Sequence, residues 1–290
     1  MSWRMVVISN PCKMDLKLNQ MVVRTEEVVK INISELSTVI IENTAVSITA
    51  CLLCELTKRK VKIIFCDEKH NPCSELIGYY GCHDTSEKIR KQIAWNNDIK
   101  QAVWTCIVAD KIRKQSNNLT RICHPAASLL EKYIDELVPN DETNREGHAA
   151  KVYFNAMFGM DYSRGQEIPI NAALNYGYAI ILATVNREIT ASGYLTQLGI
   201  FHDNVFNQFN FGSDIMEPLR PLIDWHVYNL QLDKFEHEEK IRLLDIVKYM
   251  VTIDGCSQYL DNAIKIYCKS IFDALNENDA SLISFYTYEL

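Results

Sequence analysis

Glu146, His202 and Glu217 are of the side-chain types that together hold a hard divalent cation, and each sits in a segment whose spacing bears on that use. The first lies in Thr143-Asn144-Arg145-Glu146-Gly147-His148. Thr143 and Glu146 stand three apart, as in a capping box, where the glutamate reaches back to the N–H of the cap. That use competes with a ligand role. His148 follows Glu146 by two residues, roughly 200° around a helix, so the two cannot hold one ion from a regular helix.

Leu198-Gly199-Ile200-Phe201-His202-Asp203-Asn204 reads as a loop, where a lone histidine is by itself uninformative. Next comes Ser213-Asp214-Ile215-Met216-Glu217-Pro218-Leu219-Arg220-Pro221-Leu222-Ile223-Asp224. Ser213 suits an N-cap, and Asp214 suits the positive end of a helix dipole. Asp214 and Glu217 share a helix face, and Asp224 lies near the same stripe. Pro218 and Pro221 remove two backbone donors, so the helix starts late or kinks there. An acidic face with a histidine nearby suits Mg²⁺ or Mn²⁺, the imidazole tilting preference toward Mn²⁺. Such an ion serves phosphodiester chemistry, stabilising charge on the phosphoryl oxygens and activating the attacking hydroxyl. Caps and surface groups remain the plainer use of all three residues, and spacing alone does not bring Glu146 to the other two.

The elements around these residues change character along the chain. Arg4–Ser9, Asp15–Leu18, Met21–Arg24, Val28–Ile33 and Thr38–Glu42 are short, β-branched and separated by turn residues, so they predict strands. Helical spacing covers 47–60, a strand Val61–Cys66, and one more strand Leu76–Tyr80. From residue 86 the period becomes 3.6. One long amphipathic helix is predicted over 86–115, then helices near 126–137, 144–158, 170–192, 214–230, 237–251 and 258–276. The reading is α+β: a strand-rich domain over 1–84 and a larger all-α catalytic domain over 85–290.

With 48% hydrophobic and 23% charged residues in 290, the chain can bury a substantial core. No apolar run is long enough to cross a bilayer, Tyr178–Val185 being the longest candidate. Met1–Asn10 lacks the pattern of a secretion signal, so a cytoplasmic location with reduced thiols is expected. Cys54, Cys66, Cys106 and Cys268 sit in apolar surroundings and read as buried thiols. Cys51 and Cys54 form a C-x-x-C, but no second pair follows to complete a zinc site.

The net charge of −7 excludes a uniformly basic nucleic-acid-coating protein. From Lys88 to Arg121, however, eight basic residues face two acidic ones. That stretch suits a DNA backbone contact and equally suits a solvated helix face. Lys88, Arg90, Lys91, Lys111, Arg113, Lys114, Arg145, Arg164 and Arg187 are the candidates for holding phosphates.

The motifs together resemble a known family. Asn144-Arg145-Glu146-Gly147, the run Pro169-Ile170-Asn171-Ala172-Ala173-Leu174-Asn175-Tyr176-Gly177-Tyr178, Gly193–Gly199 with Phe201-His202, and Ser213–Asp224 are similar to the CRISPR-associated integrase, in that family's order. The Glu-Pro pair at 217–218 and the His148 segment most resemble the subtype associated with a single large RNA-guided nuclease. The resemblance implies an N-terminal β-sandwich that dimerises and a helical domain with Glu146, His202 and Glu217 as metal ligands. Many members have Asp where this chain has Glu217. It further implies supporting roles for Asp214, Asn171, Asn175, Tyr176 and Arg220. The implied activity is insertion of short foreign DNA fragments into a repeat array, by attack of a 3′ hydroxyl on a phosphodiester, with His202 also assisting proton transfer. The implied partners are double-stranded DNA, a second copy of the chain, a small subunit that completes a heterohexamer, and other adaptation proteins of the subtype. A nuclease without joining activity and an idle DNA-binding scaffold are the rival readings.

Overall fold

The computed structural model describes residues 4–68, 70–78 and 82–288. It divides into two compact units, the first running to Thr85 and including Thr190–Gly193, the second holding Ser86–Ile189 and the chain from Tyr194 on.

The first unit contains β1 (Arg4–Ile8), β2 (Cys12–Lys17), β3 (Gln20–Arg24), β4 (Val28–Asn32), β5 (Leu36–Ile41), β6 (Val46–Ile48), α1 (Ala50–Lys58), β7 (Lys62–Cys66) and β8 (Pro72–Leu76). One sheet has the order β1-β5-β7-β8, parallel until the last pair. The other is β4-β3-β2-β6, antiparallel except where β6 joins β2. Every residue of β5 is buried, as a strand enclosed on both edges and both faces requires. Met14, Met21 and Ile31 of one sheet share a core with Val39, Ile41 and Ile63 of the other and with Leu52 and Leu56 of α1. Two sheets around one core make the expected sandwich, closed in part by a helix.

Three local readings change. Val46–Ile48 is a strand, not the start of a helix, because Thr49 accepts from Leu52 N (3.4 Å) and so begins α1. Strand β8 lies before the expected Leu76–Tyr80, whose positions 79 and 80 fall outside the described residues. Cys66 and Cys268 are buried thiols, but Cys106 is half-buried and Cys54 is exposed on α1.

The second unit holds α2 (Thr85–Ala94), α3 (Asn97–Arg121), α4 (Ala127–Asp135), α5 (Arg145–Phe158), α6 (Pro169–Ala191), α7 (Asn210–Met216), α8 (Arg220–Leu230), α9 (His237–Leu244) and α10 (Leu260–Glu277). The single helix expected over 86–115 is broken. Asn96 accepts from Asp98 N (3.0 Å) and caps α3 as a separate helix. The helical unit is not purely α: where a helix was expected to reach 251, β9 (Met250–Ile253) and β10 (Cys256–Tyr259) form a hairpin. Asp254 and Gly255 make its turn, both with positive φ (49° and 72°), the backbone that Asp-Gly hairpin turns favour.

Helix α3 is the centre of this unit, burying Ile99, Val103, Trp104, Ile107, Val108, Ile112 and Leu119. Helices α4, α5, α7, α8 and α10 all pack against it. No helix among the described residues is long and apolar enough to cross a membrane.

Candidate metal centre in the helical unit

Glu146 enters the site because other residues cap its helix. Asn144 adopts a left-handed backbone (φ 53°, ψ 44°), and its Oδ1 accepts from Gly147 N at 3.2 Å. The Asp141 carboxylate accepts from Arg145 N (2.7 Å) and Glu146 N (3.0 Å). These contacts satisfy the first-turn donors that a capping box would have assigned to Thr143 and Glu146. Gly147 allows the cap to close, since a Cβ there would lie 2.6 Å from Asn144 Oδ1. The Glu146 side chain is thereby released toward α3, where Lys111 Nζ donates to its Oε1.

Two prolines position Glu217. Neither Pro218 nor Pro221 can donate to the carbonyl four residues back. The preceding N–H groups bond three back instead, Glu217 N to Asp214 O and Arg220 N to Glu217 O. The result is a 3₁₀ turn, Glu217–Leu219, between α7 and α8. Helix α7 itself begins at Asn210, so Ser213 is not its cap. Side chains from elsewhere satisfy the surrounding carbonyls: Tyr267 Oη donates to Ile215 O (3.0 Å), Tyr286 Oη to Pro218 O (2.9 Å) and Asn118 Nδ2 to Pro221 O (2.8 Å).

The Glu217 side chain is 5% exposed, and both its oxygens meet cations. Lys111 Nζ donates to Oε2, and Arg220 Nε donates to Oε1 at 2.8 Å. Burial pushes the Glu217 carboxyl up, but Arg220 and Lys111 outweigh it and hold the group at about 2. Burial likewise pushes the Lys111 ammonium down, and Glu217 and Glu146 reverse the effect. One buried cation is thus shared between two carboxylates from α5 and the 3₁₀ turn.

His202 is placed by Asp214, which is fully buried on α7. Asp214 Oδ2 accepts from Ile200 N (2.7 Å) and Phe201 N (3.1 Å), and Oδ1 from His202 N (3.0 Å) and His202 Nδ1 (2.6 Å). The loop can wrap this carboxylate because Gly199 has no Cβ, which would lie 2.7 Å from Asp214 Oδ2. Gln92 of α2 ties the same loop upstream, donating to Leu195 O (2.9 Å) and Leu198 O (3.0 Å). With Nδ1–H committed to a carboxylate, Nε2 is the nitrogen His202 offers. Its ring stands edge-on to Trp104 (5.6 Å, 85°), and Phe201 stacks on the same indole (4.2 Å, 5°). Trp104 and Lys111 are seven residues apart on α3, two turns along one face. The Asp214 hydrogen bond raises the His202 pKa above its usual value against burial, with Glu217 and Glu146 adding to the rise.

The donor set suits a hard cation, and the Lys111 ammonium already occupies the place of one between the carboxylates. Among the described residues, the ligand atoms of Glu146, His202 and Glu217 do not all lie within 4.8 Å of one another. Cys82, His83 and Asp84 do meet that spacing, but as three consecutive residues of the first unit, with Cys82 Sγ donating to Asp84 Oδ1 (2.6 Å).

The other predicted residues have different surroundings. Asp224 lies behind the site, with Tyr178 Oη donating to its Oδ1 and its buried Oδ2 without a partner. Burial raises its pKa to about 7, so it holds a proton under mildly acidic conditions. Asn171 and Asn175 accept from Arg164 (3.1 and 2.7 Å), and Asn171 also pins Ser163 and Gln166 through their carbonyls. Tyr176 packs on Phe235 under Lys240. The contacts of Asn171 and Asn175 order the loop around Arg164.

Several basic candidates turn inward. Lys111 is the cation of the site itself, and Lys114 is buried on Asp110 and over the Tyr286 ring, so neither presents its charge on an outer face. Arg187 pairs with Glu188 and Asp261, and Arg145 with Glu136. Arg90, Lys91, Arg113 and Arg164 are exposed, and Lys88 is half-buried over Tyr194. Trp104 escaped the sequence reading, and Lys111 was read there only as a phosphate-holding candidate. The available signal was a lysine amid Ile107, Val108 and Ile112 on a 3.6 period, in phase with a tryptophan two turns earlier.

Residues 5–245 match the family model described as CRISPR associated protein Cas1. The CRISPR-associated endonuclease Cas1 of Neisseria meningitidis serogroup C (strain 8013) is 33% identical over 267 residues, covering 88% of this chain and 86% of that protein. Among solved structures, a casposase bound to integration product superposes with a TM-score of 0.78 at 14% identity, covering 97% of this chain and 93% of the other. A Cas6-RT-Cas1–Cas2 complex gives 0.76 at 16% identity, covering 97% of this chain and 36% of the longer one. The likeness to these structures is one of fold, whereas the family match spans most of the sequence: the chain belongs to the CRISPR-associated Cas1 family.

Proposed function

We propose that this protein is a metal-dependent DNA integrase and endonuclease that inserts short foreign DNA fragments into a CRISPR array during adaptive antiviral defence. The observation that carries the proposal is the convergence of Glu146 and Glu217 on one buried cation, beside a histidine whose tautomer Asp214 fixes. Glu146, Glu217 and His202 Nε2 would hold Mg²⁺ or Mn²⁺. Bound there, the ion supplies Lewis-acid stabilisation of the transferring phosphoryl group and activates the attacking hydroxyl. In the neutral imidazole Asp214 holds the ring proton on Nδ1 and so leaves the Nε2 lone pair for the ion, and Arg220 keeps the Glu217 carboxylate ionised and oriented.

The reaction is a transesterification. The 3′ oxygen of the fragment forms a new phosphodiester at the edge of a repeat as the target strand's 3′ oxygen leaves. The proton lost by the attacking hydroxyl passes to the leaving oxygen, and one phosphodiester replaces another without a high-energy cofactor. The family membership and the casposase likeness support this reading. The likeness to a Cas6-RT-Cas1–Cas2 complex supports a small partner subunit, which together with homodimers of this chain would form a heterohexamer on double-stranded DNA in the cytoplasm.

The test is strand transfer of an end-labelled fragment into a supercoiled plasmid carrying the repeat, with Mg²⁺ or Mn²⁺. The wild-type chain with its partner subunit captures label covalently, and Glu217→Gln, which preserves size, abolishes capture. Cleavage without capture would overturn the integrase reading in favour of a simple nuclease.

A further inference from the structure

Lys111 already fills the position where the proposed ion would bind. Its ammonium donates to Glu146 Oε1 and to Glu217 Oε2, while Arg220 takes Glu217 Oε1. Of the four carboxylate oxygens, only Glu146 Oε2 lacks a hydrogen bond among the described residues. Both Glu217 oxygens therefore already face a cation, and a divalent ion approaching either one meets that charge while both cations stay in place. Arg220 grips through a rigid planar group, whereas lysine carries a point charge on a flexible four-carbon stem. Lysine is the partner that can leave. The side chain is 8% exposed and rises from the buried centre of α3, so its backbone cannot retreat with it.

Two ionised carboxylates sharing a dry site repel each other; Arg220 meets Glu217 alone, and the one ammonium between the two must serve both. A divalent ion compensates both and can also take the Nε2 lone pair of His202. We propose that Lys111 is a tethered competitor for the divalent ion: it holds the carboxylates together in the metal-free protein, and the ion binds by displacing it. This rests on the metal-centre reading above. The resident ammonium sets the ion affinity lower than the carboxylates alone would give, which makes loading responsive to ion concentration.

The experiment is Mn²⁺ binding to the full chain without DNA, followed by electron paramagnetic resonance, for wild type, Lys111→Met and Glu217→Gln. Lys111→Met should lower the Mn²⁺ Kd by about tenfold or more, since a buried competing charge is removed. An unchanged or higher Kd in Lys111→Met, with Glu217→Gln still losing the site, overturns the lysine proposal alone. If wild type, Lys111→Met and Glu217→Gln all bind alike, the metal-centre reading itself fails. A second measurement needs no variant. Acetylation of Lys111 by acetic anhydride, read by mass spectrometry on the native protein, should rise as Mn²⁺ displaces the ammonium into solvent. Labelling that stays constant or falls with Mn²⁺ refutes displacement even if Lys111→Met does not fold.

Discussion

His202 Nδ1 and Asp214 Oδ1 lie 2.6 Å apart, and the same buried carboxylate gathers the backbone N–H groups of Ile200, Phe201 and His202. One aspartate thus shapes the loop and selects the tautomer of the histidine it carries. A helix-cap role and a supporting-acid role were alternatives for Asp214 in the sequence. The geometry gives it the second role, acting on a neighbouring loop.

Asp214→Asn should expose that double duty. An amide offers one oxygen to four donors and turns an N–H₂ group toward the rest, so stability should fall by about 2–4 kcal/mol in urea unfolding. The His202 pKa should fall toward its ordinary value in an NMR titration. The pH dependence follows in sign: a raised histidine pKa contributes stability that is complete below about 6.5 and lost as pH rises through the folded value. The gap between wild type and variant should therefore narrow above that range. A histidine titration unmoved by the substitution would count against the assignment.

Asp224 gives a pH effect of opposite origin. Its pKa of about 7 in the folded protein exceeds that of an exposed aspartate, because burial disfavours the charge. The folded state then binds more protons than the unfolded state, so stability falls as pH rises from about 4 to 7. Asp224→Asn mimics the protonated acid and should flatten that slope, gaining up to about 4 kcal/mol over wild type across the interval. Denaturation curves at several pH values check this, and parallel slopes for the two proteins would contradict it.

The inward turn of some basic residues separates two kinds of variant. Arg90→Gln and Lys91→Gln change exposed positions on α2 and should each reduce the salt dependence of DNA binding, log K against log salt, by about one unit of slope. Lys114→Gln should leave the slope unchanged and lower the melting temperature instead, since it strips Asp110 of a buried partner. Fluorescence anisotropy across a salt series distinguishes them. Equal slope changes for all three would mean that the buried lysine reaches DNA.

Much of this fold was legible in the sequence because the two periods are local properties. Short runs of β-branched residues mark β3 and β5, and the apolar repeat through Ile99, Val103 and Ile107 marks α3. The site was less legible, because it depends on which side chain satisfies which backbone group. Thr143 and Glu146 fit a capping box, yet Asp141 and Asn144 do the capping and leave Glu146 for Lys111. The charge count along Lys88–Arg121 registered Lys111 as basic but could not show that it faces inward, since a solvated and a buried lysine share one letter. The Asp254-Gly255 turn was a short-range hairpin signal left unread between the helices expected over 237–251 and 258–276.

Helix α3 extends the argument to folding. It carries Trp104 against the histidine, Lys111 between the carboxylates and Asn118 on the carbonyl of Pro221, while α4, α5, α7, α8 and α10 pack against it.

 A residue set that converges on the central strut of a domain cannot assemble before that strut is docked. The backbone that carries Lys111 lies at the buried centre of α3, out of reach of the local opening by which exposed loops sample inactive forms, so only its side chain is left to move. The centre is therefore gained and lost with the docking of that helix, so a partially folded form in which α3 is undocked has no centre at all.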